Sequence, residues 1–217
     1  MNIVIVPGFT GYPEEITFQD LGKTLANNGH KVIKISWPHF PQELDEYNFT
    51  NTINTSRTLL KGINEESLVI LGFSMGGVIA TVLATELKPK KLGLIVSPYQ
   101  AGSEDDLSGK YKEWKEVGYR EVTSSKYGKL KIPFSFIEDA QKYDALELIP
   151  QIDCPKLFIA GEVDTKVPLT VARKLFEVAK EPKEWNQISE MEHKYQYQPK
   201  MLERVNEIIV RFIEENS

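Results

Sequence analysis

Ser74 lies in Gly72-Phe73-Ser74-Met75-Gly76, with a further glycine at position 77. A serine hydroxyl attacks a carbonyl carbon only when a base takes its proton and a carboxylate orients that base, so the histidines and acids of the chain are the residues to weigh beside it. The histidines are His30, His39 and His193. His30 follows Asn27-Asn28-Gly29 at the start of an apolar run, and His39 stands in the proline-flanked Trp37-Pro38-His39-Phe40-Pro41; both precede the serine. His193 lies in Ser189-Glu190-Met191-Glu192-His193-Lys194-Tyr195, past the last apolar run and ahead of the final amphipathic stretch. Among the carboxylates, Asp164 in Gly161-Glu162-Val163-Asp164 directly follows an apolar run. Glu162 is the alternative two residues earlier, whereas Asp153 precedes that run and so belongs at its other end. The expected set is Ser74 as nucleophile, His193 as base and Asp164 as the orienting acid. Cys154, the single cysteine, excludes an internal disulfide and reads as core filler beside Pro155.

Such residues act only if the backbone brings them to one place. The runs 2–6, 31–35, 68–71, 92–96 and 156–160 are rich in β-branched residues and apolar on both faces, as buried parallel strands are, and 184–189 is a weaker sixth. Stretches with helical spacing fall between and after them, at about 15–29, 49–64, 75–88, 168–180 and 198–215. Alternation of this kind predicts an α/β fold with a mostly parallel six-stranded sheet, right-handed crossovers and helices on both faces. Ligands of such sheets bind at the carboxyl ends of the strands. Ser74, Asp164 and His193 each follow a strand, so all three are expected at that edge.

The glycines then have a reason. A chain that leaves a buried strand and enters a helix within a few residues forces the intervening serine into a strained conformation and crowds its neighbours, so a side chain at 72 or 76 would collide with the adjoining element. A bare five-residue Gly-x-Ser-x-Gly pattern recurs by chance; the strand before it and the helix after it make it specific. One donor for a developing oxyanion comes with this turn, the backbone N–H of Met75, where the first helical N–H groups have no internal partner.

In the order Ser74, Asp164, His193, and in its segments Gly8-Phe9-Thr10-Gly11, Gly72-Phe73-Ser74-Met75-Gly76-Gly77 and Ala160-Gly161-Glu162-Val163-Asp164-Thr165-Lys166-Val167-Pro168, the chain resembles the α/β-hydrolase superfamily, in particular small carboxylesterases and monoglyceride-lipase-like members. The resemblance implies a serine hydrolase that cleaves carboxylic esters through an acyl-enzyme, with the backbone N–H of Phe9 as second oxyanion donor. Pro7 stands where the family usually has histidine, which leaves the internal hydrogen bonding of that loop to other residues. The chain opens at the strand carrying this loop, so the two antiparallel strands that often precede it are not expected. The same triad serves amide- and thioester-cleaving hydrolases, and a catalytically silent binding protein of the same fold is the reading from another class.

The interval 98–150 is too long for a simple crossover. It is expected to form a cap-like excursion within one domain spanning 1–217, containing a small hairpin in 120–133 and two short helices in 133–149. Tyr111, Trp114, Tyr119, Tyr127, Phe134, Phe136 and Tyr143 would either wall an apolar pocket or glue the excursion to the body. The excursion is modest in length, which favours short acyl groups. With 31 acidic and 26 basic residues and the basic ones scattered, the formal charge of -5 argues against nucleic acid as partner and for a small-molecule ester substrate. No cluster has metal-ligand spacing and no glycine loop has phosphate-binding form, so no cofactor or metal is expected. The N-terminus shows neither a basic leader nor a long apolar stretch, and no window is long and apolar enough to span a membrane, so a cytoplasmic protein is expected.

Overall fold

The computed structural model describes residues 1–102, 110–124 and 126–215; the part of the excursion at 103–109 lies outside the described residues. In chain order the strands are β1 (Asn2–Val6), β2 (Lys31–Lys34), β3 (Leu68–Phe73), β4 (Lys91–Ile95), β5 (Tyr119–Ser124), β6 (Gly128–Pro133), β7 (Lys156–Gly161) and β8 (Lys183–Ile188). The helices are α1 (Ile16–Asn27), α2 (Phe49–Leu60), α3 (Gly76–Leu87), α4 (Lys110–Val117), α5 (Ser135–Ala140), α6 (Ala145–Leu148), α7 (Leu169–Val178) and α8 (Pro199–Glu214). Among the described residues one sheet has six strands in the order β2-β1-β3-β4-β7-β8, with every pair parallel. β5 and β6 pair antiparallel as a separate hairpin.

The apolar runs become strands because both faces of the sheet are covered. Val4, Val6, Ile70, Leu92 and Phe158 point to one side, where α2, α3 and α7 supply Phe49, Ile53, Val78, Leu83 and Leu175. Ile3, Ile5, Val69, Leu71 and Ile159 point to the other, where α1 and α8 supply Phe18, Leu21, Val205, Ile209 and Phe212. α8 shows the logic most plainly. Leu202, Val205, Ile208, Ile209, Phe212 and Ile213 recur at three- and four-residue steps and are all buried, which at roughly 1.5 to 3 kcal/mol for each fully buried side chain is on the order of 10 kcal/mol before ordering entropy is subtracted.

Three strands begin with a lysine that reaches into the turns at the opposite rim from their carboxyl ends. Lys91 Nζ donates to the carbonyls of Phe212 and Glu215, each at 2.6 Å. Lys183 Nζ donates to Phe176 at 3.0 Å and Ala179 at 2.8 Å, and Lys156 Nζ to Ile152 at 2.8 Å and Cys154 at 2.6 Å. The carbonyls at the ends of α7 and α8 have no partner within their helices, and a cation there also suits the helix dipole.

The excursion contains the expected hairpin and both short helices, α5 and α6, and in addition α4, which its polar sequence Lys110-Tyr111-Lys112-Glu113-Trp114-Lys115-Glu116-Val117 did not announce. Its large rings divide by burial. Trp114, Phe134 and Phe136 are buried, with Phe136 packed on Phe9 at 5.0 Å and on Tyr47 at 4.8 Å between ring centroids, so they fasten the excursion to the body. Tyr119 is exposed, and Tyr111, Tyr127 and Tyr143 are half-buried. Asp139 adds a polar anchor: its carboxylate accepts from the Thr50 backbone N–H at 2.8 Å and the Thr50 hydroxyl at 2.7 Å, tying α5 to α2. No described helix is long and apolar enough to cross a membrane.

Candidate active site

The order of the sheet reverses beside β1: the chain goes outward from β1 to β2, then returns across β1 to β3. The loops leaving β1 and β3 therefore diverge, opening a crevice at the carboxyl edge. In the register Val6 lies beside Gly72, and Gly72 beside Leu94, so the loop after β1 and the turn after β3 leave the sheet side by side.

Ser74 is held there with φ at 51°, the left-handed conformation that a non-glycine residue adopts only under constraint. Two hydrogen bonds supply that constraint: the Ser74 N–H donates to the Ile95 carbonyl at 2.9 Å, and its carbonyl accepts from Gly77 N–H at 2.8 Å. The flanking glycines are required by close approach. A Cβ on Gly72 would stand 2.5 Å from Gly77 Cα and 2.6 Å from Ala80 Cβ, and one on Gly76 would stand 2.5 Å from the Pro7 carbonyl oxygen. The turn is thus pressed against both its own helix and the loop after β1.

His193 arrives from the loop after β8. Its Nε2 lies 2.9 Å from Ser74 Oγ, and its Nδ1 lies 2.8 Å from Asp164 Oδ2. With Nδ1–H donating to the carboxylate, Nε2 is left as the acceptor for the serine hydroxyl. Asp164 sits in the loop after β7 with its side chain fully shielded from solvent. Its other oxygen, Oδ1, accepts from the backbone N–H groups of Lys166 and Val167, each at 2.8 Å. Both carboxylate oxygens are therefore occupied and fixed, which restrains the imidazole in turn. Gly161 contributes by absence of a side chain, since a Cβ there would run into the Met191 carbonyl and keep the histidine loop off the end of β7.

The other candidates stay apart. Glu162 is exposed, and Asp153 lies at the opposite edge, 3.7 Å from Lys180 Nζ. His39 contacts Glu43 at 2.6 Å, and His30 contacts the Met1 amino group at 3.2 Å. Cys154 is half-buried, and burial pushes its thiol up to about 11, which removes it from thiolate chemistry near neutrality.

The loop after β1 lies against the serine: a Cβ on Gly8 would stand 3.0 Å from Ser74 Cβ and 3.6 Å from its Oγ. Among the described residues, the N–H groups of Phe9 and Met75 donate to no backbone carbonyl or side chain, so both are free to meet an oxygen from outside the chain. The loop's internal support comes from two residues whose part the sequence did not reveal. Trp37 Nε1–H donates to the Gly8 carbonyl at 2.9 Å, and the Tyr47 hydroxyl oxygen accepts from Thr10 N–H at 2.9 Å, at a residue whose own φ is 58°. They supply bonds in a loop where proline stands at position 7.

Residues 2–98 match the family model described as alpha/beta hydrolase fold. The whole chain is similar to solved structures of that fold. Alpha/beta hydrolase domain-containing protein 10 from mouse superposes with a TM-score of 0.81 at 19% identity, covering 98% of this chain and 89% of that one. Est1E from Butyrivibrio proteoclasticus, with ferulic acid bound, gives 0.76 at 16% identity over 98% and 87%. The esterase domain of a Rhodothermus marinus protein gives 0.69 at 16% identity over 96% and 84%. No curated protein matches the chain by sequence. The chain has the α/β-hydrolase fold.

Proposed function

We propose that the protein is a serine hydrolase that cleaves carboxylic esters of small or medium acyl groups. The observation that carries this reading is the unbroken relay from Ser74 Oγ through His193 to Asp164, at 2.9 and 2.8 Å, on a serine held at φ 51°. In the reaction His193 Nε2 takes the Ser74 proton as Oγ attacks the ester carbonyl, and the imidazolium so formed is stabilised by the Asp164 carboxylate. The N–H groups of Phe9 and Met75 receive the charge on the former carbonyl oxygen; a donor of this kind contributes roughly 2.7 to 4 kcal/mol to the barrier reduction. His193 then returns its proton to the leaving alcohol. Water repeats the sequence on the acyl-serine and regenerates the hydroxyl.

A fluorophosphonate probe tests the nucleophile: the wild type should be labelled and Ser74→Ala should not. Ester turnover in Ser74→Ala should fall by about 10³-fold or more with the fold intact by circular dichroism. Labelling of the variant, or retention of a tenth of the activity, refutes the assignment. A matched panel of ester, thioester and anilide substrates fixes the bond cleaved. It should include a hydroxycinnamoyl ester, because Est1E holds ferulic acid.

A further inference from the structure

His193 reaches Ser74 from a loop with little backbone support of its own. The segment between β8 and the turn at Tyr195–Tyr197 is anchored at its centre by Met191, whose side chain is fully buried and whose carbonyl faces Gly161 at the end of β7. A single apolar anchor fixes a position but leaves the chain free to turn about it. His193 is two residues further on, so such a turn would carry the imidazole across Ser74 Oγ. Glu190, directly before the anchor, is held at φ 59°, a left-handed conformation that a non-glycine residue keeps only where its surroundings impose it.

Two hydrogen bonds flank this anchor, and both come from one side chain. Gln198 Nε2 donates to the Glu190 carbonyl at 2.9 Å, and Gln198 Oε1 accepts from the Glu192 N–H at 2.9 Å. Among the described residues the backbone of 190–193 makes no other hydrogen bond. Gln198 is the residue before α8, where a side chain ordinarily accepts from the first free N–H groups of the helix. It makes no such cap here. Its backbone carbonyl accepts from Met201 at 2.9 Å and Leu202 at 3.0 Å, Pro199 has no N–H to offer, and the amide is turned back over the loop. A carboxamide suits this place because it presents a donor and an acceptor side by side on one rigid plane.

We propose that Gln198 is a positioning residue for His193, clasping Glu190 and Glu192 on either side of Met191 so that the imidazole stays 2.9 Å from Ser74 Oγ and 2.8 Å from Asp164 Oδ2. It acts through the loop and does not touch the reacting atoms. The role rests on the serine-hydrolase reading above, in which His193 moves the proton. Placement of the base governs the chemical step rather than affinity for the ester, so the clasp bears on kcat.

The test combines kinetics with a spectroscopic reading on the full chain. Gln198→Leu removes both bonds, and Gln198→Glu keeps the acceptor for Glu192 N–H while its carboxylate has no donor for Glu190. Gln196→Leu is the control, the same change of side chain at a residue of the Tyr195–Tyr197 turn that lies outside the clasp. On a p-nitrophenyl ester, Gln198→Leu should lower kcat by about tenfold or more and Gln198→Glu by about threefold or more, with KM within about twofold for both and Gln196→Leu close to wild type. The far-downfield proton resonance of His193 Nδ1–H reports its bond to Asp164 without any substrate. It should be present in wild type and Gln196→Leu and lost to exchange with water in both Gln198 variants, each shown folded by circular dichroism. Should Gln198→Leu not fold, Gln198→Glu carries the same two readings. The proposal is overturned if a folded Gln198 variant falls short of its factor, if the loss lies in KM, if Gln196→Leu loses as much, or if the resonance persists unchanged. If wild type turns over no ester, the serine-hydrolase reading fails by itself, and the resonance alone decides the clasp: its loss in the Gln198 variants sustains it and its persistence overturns it.

Discussion

Asp164 and Glu162 are two residues apart on one loop, yet one carboxylate is shielded and meets His193 while the other is exposed. The reason is local. Asp164 closes a turn on the N–H groups of Lys166 and Val167, which draws its side chain inward. Asp164→Asn should therefore leave the fold intact and lower ester turnover by about 10³ to 10⁴, since the amide favours the wrong imidazole tautomer. Glu162→Gln should remain within about twofold of wild type. Parallel measurement of kcat for the two variants settles the assignment, and the reverse pattern would transfer the role to Glu162. The grouping of Ser74, Asp164 and His193 was legible because each lies in a turn or loop that comes after an apolar run, and strand ends converge at one edge. Trp37 and Tyr47 were not, because their bonds to the loop after β1 span 29 and 37 positions and leave no local pattern.

At the scale of elements, two segments shape what reaches the serine. The loop after β1 depends on Tyr47 for the only acceptor found for Thr10 N–H among the described residues. Tyr47→Phe should strand that donor, costing about 1 to 2 kcal/mol of stability, and should lower kcat more than it raises KM because the Phe9 N–H loses its placement. Unchanged kcat with a lower Tm would show a structural role alone. The excursion between β4 and β7 makes the second contribution. Trp114, Phe134 and Phe136 of the excursion are buried in packing, and the excursion is short for a cap. Catalytic efficiency on p-nitrophenyl esters should accordingly peak at acyl lengths of roughly two to eight carbons, with each methylene worth at most about 0.8 kcal/mol while the slot fills. A maximum at about sixteen carbons in the chain-length series would defeat this reading. The six strands were readable from their β-branched runs, and even the half-exposed β8 was visible as the weakest of them. α4 was missed because most of its residues at 111–117 face solvent and Trp114 alone among them is buried, so no apolar stripe betrays it.

For the molecule as a whole, Glu15 at the start of α1 provides a pH signature. Burial pushes its carboxyl from the ordinary 4.5 up to about 7, against the opposing pull of Lys194 and a hydrogen bond from the Tyr12 backbone. The folded state thus holds a proton that the unfolded chain has released. Its stabilisation is complete below about pH 4.5 and is lost as the pH rises through about 7. Glu15→Gln removes that slope, so the variant should gain on the order of 1 to 2 kcal/mol over wild type between pH 4.5 and pH 8, after allowance for solvent screening. Denaturant unfolding at both pH values measures the difference, and a constant difference would deny Glu15 its shifted titration. The global architecture was legible because strand and helix alternate, whereas the setting of Glu15 includes the charge of Lys194, nearly 180 positions away in sequence. The lysines that open β4, β7 and β8 give the barrel-free sheet two unlike margins. One margin is latched, since Lys91 alone grips the chain at Phe212 and Glu215, and trimming those last turns would strip a buried ammonium of its acceptors. The other margin bears the loops, and none of the latches passes through it. Inheritance can therefore rewrite the loop side as an exchangeable cassette while the latch side stays the same, and an engineer grafting a new excursion between β4 and β7 inherits the same freedom.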